Sequence, residues 1–118
     1  MKKKILVVDD DPGIQDVFRV ILNREGYNVQ VVPGGEEIYH DRYQAPDLFI
    51  LDKQLAGTDG LEICKYLKTQ EKTRAIPVIM VSANPGIGTQ YAAAGADDYI
   101  EKPFELSYLL KKIRQLTK

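Results

Sequence analysis

The sequence predicts an α/β fold: a five-stranded parallel sheet, order 2-1-3-4-5, with helices on both faces. Three observations carry this expectation. Short apolar runs alternate with helix-like segments along the whole chain. Most of those runs end in Asp, Ser or Lys, and a parallel arrangement gathers such ends on one sheet edge, where open α/β folds bind ligands. Right-handed crossovers and short connections leave few topologies, of which 2-1-3-4-5 is the common one for this number of units.

The first run, Ile5 to Val8, leads into Asp9-Asp10-Asp11. Asp11-Pro12 is a helix start, with Asp as N-cap and Pro at the first helical position. Ile14, Val17, Phe18, Ile21 and Leu22 follow at helical spacing, and Gly26 is placed to stop that helix. Val29 to Val32 forms the second strand. A short helix is expected from Gly35 to Tyr43, with Glu36 and Glu37 in its first turn. Leu48 to Leu51 runs into Asp52, after which a loop is expected. Asp59-Gly60 opens the third helix, carrying Leu61, Cys64, Tyr66 and Leu67.

Val78 to Val81 runs into Ser82. Pro85, Gly86 and Gly88 then occupy what should be a first helical turn, so the fourth helix is expected only from Thr89 to Ala94. Tyr99 to Glu101 is the last strand and ends at Lys102-Pro103. The fifth helix carries Leu106, Leu109, Leu110, Ile113 and Leu116 as an amphipathic stripe.

With 118 residues, positions 1–118 are expected to form one domain. A hydrophobic content of 44% with 28% charged residues is ordinary for a globular protein. The net charge of -1 gives no support for binding nucleic acid or an anionic membrane surface. One cysteine, Cys64, excludes an internal disulfide and fits a reducing compartment. No apolar run approaches the roughly 20 residues of a membrane span. Met1-Lys-Lys-Lys4 resembles a signal-peptide start, but the apolar run behind it is too short. The expected location is cytoplasmic.

Asp9, Asp10 and Asp52 should be neighbours, because strands one and three flank the switch point of this topology. Clustered carboxylates repel and raise one another's pKa unless a positive group intervenes. A hard divalent cation such as Mg²⁺ is the natural remedy. The plainer alternative, that Asp9 to Asp11 only cap the first helix, needs one aspartate and leaves Asp52 unexplained. A carboxylate such as Asp52 beside a metal can act as a nucleophile on phosphorus. Lys102 supplies a compact positive charge and Ser82 a hydroxyl donor to the same oxygens.

The stretches Ile5–Pro12, Pro46–Asp52, Asp59–Leu61, Val81–Ala83 and Gly95–Phe104, in this order and spacing, resemble the receiver domain of bacterial two-component response regulators. That resemblance covers essentially the whole chain and implies a flavodoxin-like fold. It implies phosphoryl transfer from a histidine kinase or phosphotransfer protein to Asp52. Asp10, Asp52 and the backbone carbonyl of Gln54 would be direct Mg²⁺ ligands, with Asp9 acting through a water. Lys102 would contact the phosphoryl group. Ser82 and Tyr99 would be the switch residues, altering a partner face made by helix four, strand five and helix five. The resemblance also implies a cis peptide between Lys102 and Pro103, and no turnover activity beyond autodephosphorylation.

Departures from the family pattern are also present. Many receivers have Pro where this chain has Ala56, so the loop after Asp52 is expected to be looser without touching the chemistry. The segment between Ser82 and Tyr99 is about two residues shorter than in many relatives, and the shortening falls in the fourth helix, part of the family's usual output face. Gln54 and Asn84 stand where the family tunes phosphoryl lifetime. His40 is expected to be solvated and Cys64 to be a core residue, and Tyr91 and Tyr108 are candidate docking residues.

Two alternatives stand beside this reading. One is a receiver-like interaction module that works without phosphorylation. The other is a small aspartate-nucleophile phosphatase of the haloacid-dehalogenase type, for which Asp9-x-Asp11 is suggestive but the chain short. The absence of an effector domain after Lys118 favours a free-standing regulator, monomeric or weakly dimeric, although Arg114 to Lys118 equally suits the start of a linker.

Overall fold

Apolar residues alternate between two faces of the sheet, and that alternation builds the two halves of the core. The structure, a computed structural model, describes residues 2–118. Its main strands are β1 (Lys4–Val8), β2 (Asn28–Val32), β3 (Leu48–Asp52), β4 (Val78–Ser82) and β5 (Asp98–Glu101). All pair in parallel, in the order β2-β1-β3-β4-β5 that the sequence predicts. Leu6, Val8, Phe49, Leu51 and Met80 face one side, while Ile5, Val7, Ile50, Ile79 and Val81 face the other. β3 and β4 are buried along their whole length, as expected of central strands covered on both faces.

Helices α1 (Pro12–Arg24) and α5 (Leu106–Leu116) cover one face through Phe18, Leu22, Leu109, Leu110 and Ile113. Helices α2 (Gly35–Tyr39), α3 (Gly60–Thr69) and α4 (Ile87–Gln90) cover the other through Ile38, Ile63, Cys64, Leu67 and Ile87. Each such side chain contributes about 1.5–3 kcal/mol by leaving water. Cys64 is wholly buried, and that burial pushes its thiol up to about 11, so it serves as a small core hydrophobe.

Asp11 caps α1 as expected, its Oδ1 accepting the amides of Gly13 and Ile14 at 2.8 and 3.3 Å. Gly26, with φ +89°, ends the helix: Tyr27 N–H reaches Leu22 O and Gly26 N–H reaches Asn23 O. The expected span of α2 to Tyr43 is corrected, because the helix stops at Tyr39. The same pair of closing bonds occurs there, Arg42 N–H to Glu37 O and Asp41 N–H to Ile38 O. Asp41 takes the left-handed position at φ +56°, a role its short side chain tolerates and a glycine would have advertised.

The fourth helix is also corrected. It spans Ile87–Gln90, not Thr89 to Ala94. Asn84 Oδ1 accepts Gly86 N–H at 2.8 Å, which starts the turn early, and fully buried Ile87 anchors it. Beyond Tyr91 the amides of Ala94 and Gly95 bond three residues back, to Tyr91 O and Ala92 O. Alanine's propensity is outweighed there because the segment lacks bulky side chains to bury.

One element was not expected. The segment after β3 is an antiparallel two-residue ladder, Gln54–Leu55 with Thr58–Asp59, closed by Ala56-Gly57. Its far strand delivers Asp59 as the N-cap of α3, where Oδ1 accepts Leu61 N–H at 2.9 Å. Gly60 lies so close to β3 that a Cβ there would overlap the carbonyl oxygen of Asp52.

Candidate phosphoacceptor and metal site

The carboxyl ends of β1 and β3 lie side by side, with Val8 opposite Leu51 in register, so the next residue of each chain segment projects from the same edge. Asp9 and Asp52 are both buried there, while Asp10 is exposed. Ligand oxygens from all three lie within 4.8 Å of one another. This is the cluster that the sequence predicts.

Lys102 arrives from the end of β5, its amide bonded to Ser82 O at 2.8 Å and its peptide to Pro103 cis. Its Nζ stands 3.3 Å from Asp52 Oδ2 and 3.9 Å from Asp9 Oδ2, so one ammonium serves both buried carboxylates. The two remaining oxygens are held locally. Asp52 Oδ1 accepts Gln54 N–H at 3.2 Å, and Asp9 Oδ1 accepts Asp11 N–H at 3.0 Å.

Burial raises the Asp9 carboxyl to about 6, and the nearby Asp52 charge adds to that. The Asp11 amide and Lys102 oppose it without cancelling it. A cation binding all three carboxylates would remove the remaining repulsion. The donors are all oxygen, and exposed Asp10 leaves one side open to water, a set suited to a small hard divalent ion.

Other residues singled out in the sequence are placed differently. Ser82 is fully buried at the end of β4, the strand next to β3, and its Oγ accepts Asn84 N–H at 3.0 Å. Gln54 is exposed in the ladder. Tyr99 lies outside the acid cluster, half-buried, 4.7 Å from the Tyr91 ring and against Gly88. His40 is exposed on the α2 side, as expected.

Two contacts carry no sequence signal. Gln15 Nε2 donates to the carbonyl of Asp9 and ties α1 to the end of β1. Ala56 N–H donates to Asp10 Oδ2 at 2.9 Å. The expectation that the Ala56 loop stays clear of the chemistry is therefore corrected. Sequence distance hides this contact, since 46 residues separate the partners and the donor is a backbone group.

The family model of the response regulator receiver domain matches residues 5–114. The chain belongs to that family. The receiver domain is 38% identical over 116 residues to the DNA-binding dual master transcriptional regulator RpaA of Synechocystis sp., covering 96% of this chain and 48% of that protein. It is 34% identical to the phosphate regulon transcriptional regulatory protein PhoB of Rhizobium meliloti, covering 98% of this chain and 52% of that protein. The receiver domain thus spans about half the length of these relatives.

Among solved structures, the chemotaxis response regulator CheY4 of Vibrio cholerae superposes with a TM-score of 0.89 at 25% identity, covering 98% of this chain and 99% of that one. The receiver domain of sensor histidine kinase PA1611 from Pseudomonas aeruginosa, solved with a magnesium ion coordinated in its active site cleft, gives 0.88 at 29% identity, covering 99% and 98%. The receiver domain described here is accordingly a phospho-accepting signalling module with the five-stranded parallel architecture of those structures.

Proposed function

We propose that residues 1–118 act as one receiver domain in which Asp52 accepts a phosphoryl group from a histidine kinase or phosphotransfer protein, with Mg²⁺ held by the acid cluster. The observation that carries this reading is the meeting of three carboxylates within 4.8 Å under a shared lysine. Asp10 and Asp52 would be direct ligands with the Gln54 carbonyl, and Asp9 would act through a water. When bound, Mg²⁺ supplies charge neutralisation for the phosphoryl oxygens.

An Asp52 oxygen attacks phosphorus in line; the phosphorus–nitrogen bond of the donor phosphohistidine breaks, and the imidazole leaves with the bonding electrons. Lys102, already beside Asp52, offsets the negative charge on the transferring group. Ser82 would donate its hydroxyl to the phosphoryl oxygens after its loop shifts, breaking its bond with the Asn84 amide. Tyr99 would follow by turning from Tyr91, changing the α4–β5–α5 face that meets the output partner. Slow attack by water on phosphorus breaks the bond to the Asp52 oxygen, releases inorganic phosphate and returns the free carboxylate, so the module turns over no separate substrate.

A groove of about 400 Å³ lined by Ile14, Val17, Phe18, Ile21, Phe104 and Leu109 opens beside Lys102. A donor protein must bring its phosphohistidine to Asp52, and this apolar surface next to the site suits that contact. Among the described residues no helix is long and apolar enough to cross a membrane. A cytoplasmic location is part of this proposal, supported by the family of signalling modules to which the chain belongs and by its single buried free thiol.

Intact mass after incubation with Mg²⁺ and acetyl phosphate tests the reading. One Mg²⁺-dependent, base-labile phosphate adduct, absent from Asp52→Asn, is the expected result. No adduct with acetyl phosphate or with phosphorylated donor proteins would favour a phosphorylation-independent interaction module, and multiple turnover of a phosphate ester would favour a phosphatase.

A further inference from the structure

A second hollow, of about 380 Å³, is lined by Tyr99, Glu101, Pro103, Phe104, Glu105 and Tyr108, at the β5 and α5 part of the α4–β5–α5 face. Pro103 and Phe104 also line the apolar groove beside Lys102, so these two residues separate surfaces of different chemistry. The groove has no acid in its lining, whereas the hollow carries two glutamates among three aromatic rings.

Both glutamates are exposed, and among the described residues neither carboxylate joins an ion pair or accepts a hydrogen bond. Glu105 is the N-cap of α5, yet its side chain takes none of the first amides of that helix. Two lysines close in sequence are committed elsewhere. Lys102 faces Asp52 and Asp9, and Lys112 is held by Asp98 at 2.8 Å. Each ring is held by a residue outside the hollow. Tyr99 packs on Tyr91 with centroids 4.7 Å apart and Phe104 on Phe18 at 6.5 Å, while Lys112 Nζ stands 4.8 Å from the centre of the Tyr108 ring.

We propose that this hollow receives an arginine side chain from a basic segment of the output partner. The inference deepens, and rests on, the reading of the α4–β5–α5 face as the surface that meets that partner. Two uncompensated carboxylates favour a cation. Aromatic walls favour one that is planar and weakly hydrated, a guanidinium rather than an ammonium. The carboxylates then match its N–H donors through charge-assisted hydrogen bonds. Because the rings are already held in place, little rotamer freedom is lost on binding.

An NMR titration tests this. The ¹⁵N-labelled full chain, with MgCl₂ present to occupy the Asp9, Asp10 and Asp52 cluster, receives the blocked peptide acetyl-Gly-Gly-Arg-Gly-Gly-amide. A control peptide carries neutral citrulline in place of arginine. Saturable shifts at the amides of Tyr99, Glu101, Phe104, Glu105 and Tyr108 are expected with arginine and not with citrulline. Replacing both acids, Glu101→Gln with Glu105→Gln, should weaken binding about tenfold. Tyr108→Leu should weaken it about threefold. All three side chains are exposed, so the variants keep the fold, and unchanged signals elsewhere in the spectrum verify it.

Absence of shifts at these amides would overturn the proposal, as would arginine binding that survives intact in the double variant. Equal binding of the citrulline peptide would assign the hollow to a neutral occupant and overturn it too. Shifts there that follow chain concentration without any peptide would assign it to a second copy, with the same consequence. The titration needs no phosphoryl transfer. A chain that binds the arginine peptide here but takes no phosphate on Asp52 would remove the phosphoacceptor reading alone. One that is phosphorylated and ignores the peptide would remove this inference alone.

Discussion

Lys102 Nζ lies 3.3 Å from Asp52 Oδ2, joining the ends of two strands that are not neighbours in the sheet and are separated by 50 residues of chain. The same ammonium stands 3.9 Å from Asp9. One lysine therefore both partly neutralises the resting cluster and stands where charge builds up during transfer. Lys102→Gln should slow phosphorylation of Asp52 by acetyl phosphate about 10²-fold, the usual effect of removing one electrostatic stabiliser. Rapid-quench rates at saturating Mg²⁺ check this, and an unchanged rate would exclude Lys102 from the transfer step.

Asp9 predicts a pH dependence of metal-free stability. Its carboxyl is raised from 3.8 to about 6 in the folded protein, mainly by burial. The folded state thus holds a proton that the unfolded state releases. That stabilisation is complete below about pH 3.8 and is lost as pH rises through about 6. Without metal, stability should fall across this interval by no more than about 3 kcal/mol, and Asp9→Asn should lack that component. Urea unfolding of both proteins from pH 4 to 7 in EDTA measures it. A parallel pH profile for the two would refute the assignment.

Asp10→Asn removes one charge of three. It should raise the metal-free melting temperature and abolish stabilisation by Mg²⁺, because the repulsion and the ligand disappear together. Thermal melts with EDTA and with Mg²⁺ decide the matter. Full retention of the Mg²⁺-induced shift would show that Asp10 is not a ligand.

Val17 is 54% exposed at the edge of the apolar groove beside Lys102. Val17→Asp should leave labelling by acetyl phosphate unchanged and slow transfer from a phosphorylated donor protein about 5- to 30-fold, since an interface anchor is worth about 1–2 kcal/mol. Equal transfer rates from the protein donor would move the docking surface elsewhere.

Gly60→Ala places a methyl group on the carbonyl oxygen of Asp52. The start of α3 or the end of β3 must move, and a loss of about 1–3 kcal/mol is expected, the range of overpacking. Chemical denaturation checks the value. An unchanged midpoint would mean that the α3 terminus is not seated against β3.

The elements most legible in the sequence were those whose physics is local. Asp11-Pro12 announced α1 and Gly26 its end; the apolar runs announced five strands, and their polar ends announced the site. The misread boundaries have local causes of another kind. Asp41 closes α2 in a conformation usually signalled by glycine, and buried Ile87 holds α4 at residues ahead of its alanines. No pattern within the ladder segment separated it from a loop, because two-residue strands carry no usable periodicity.

Alternation and the order of strand ends by themselves determined the α/β class and the membership of Asp9, Asp10, Asp52, Ser82 and Lys102 in one edge of the sheet. These follow from short-range propensity and from the few ways parallel units can connect. Tertiary structure alone decided how the edge is wired: Lys102 shared between two buried carboxylates, Asp9 raised by burial, and Asp10 held by the amide of Ala56. Each depends on distances of a few ångströms between groups far apart in the chain. Neither spacing nor side-chain type encodes a backbone donor brought there by a turn.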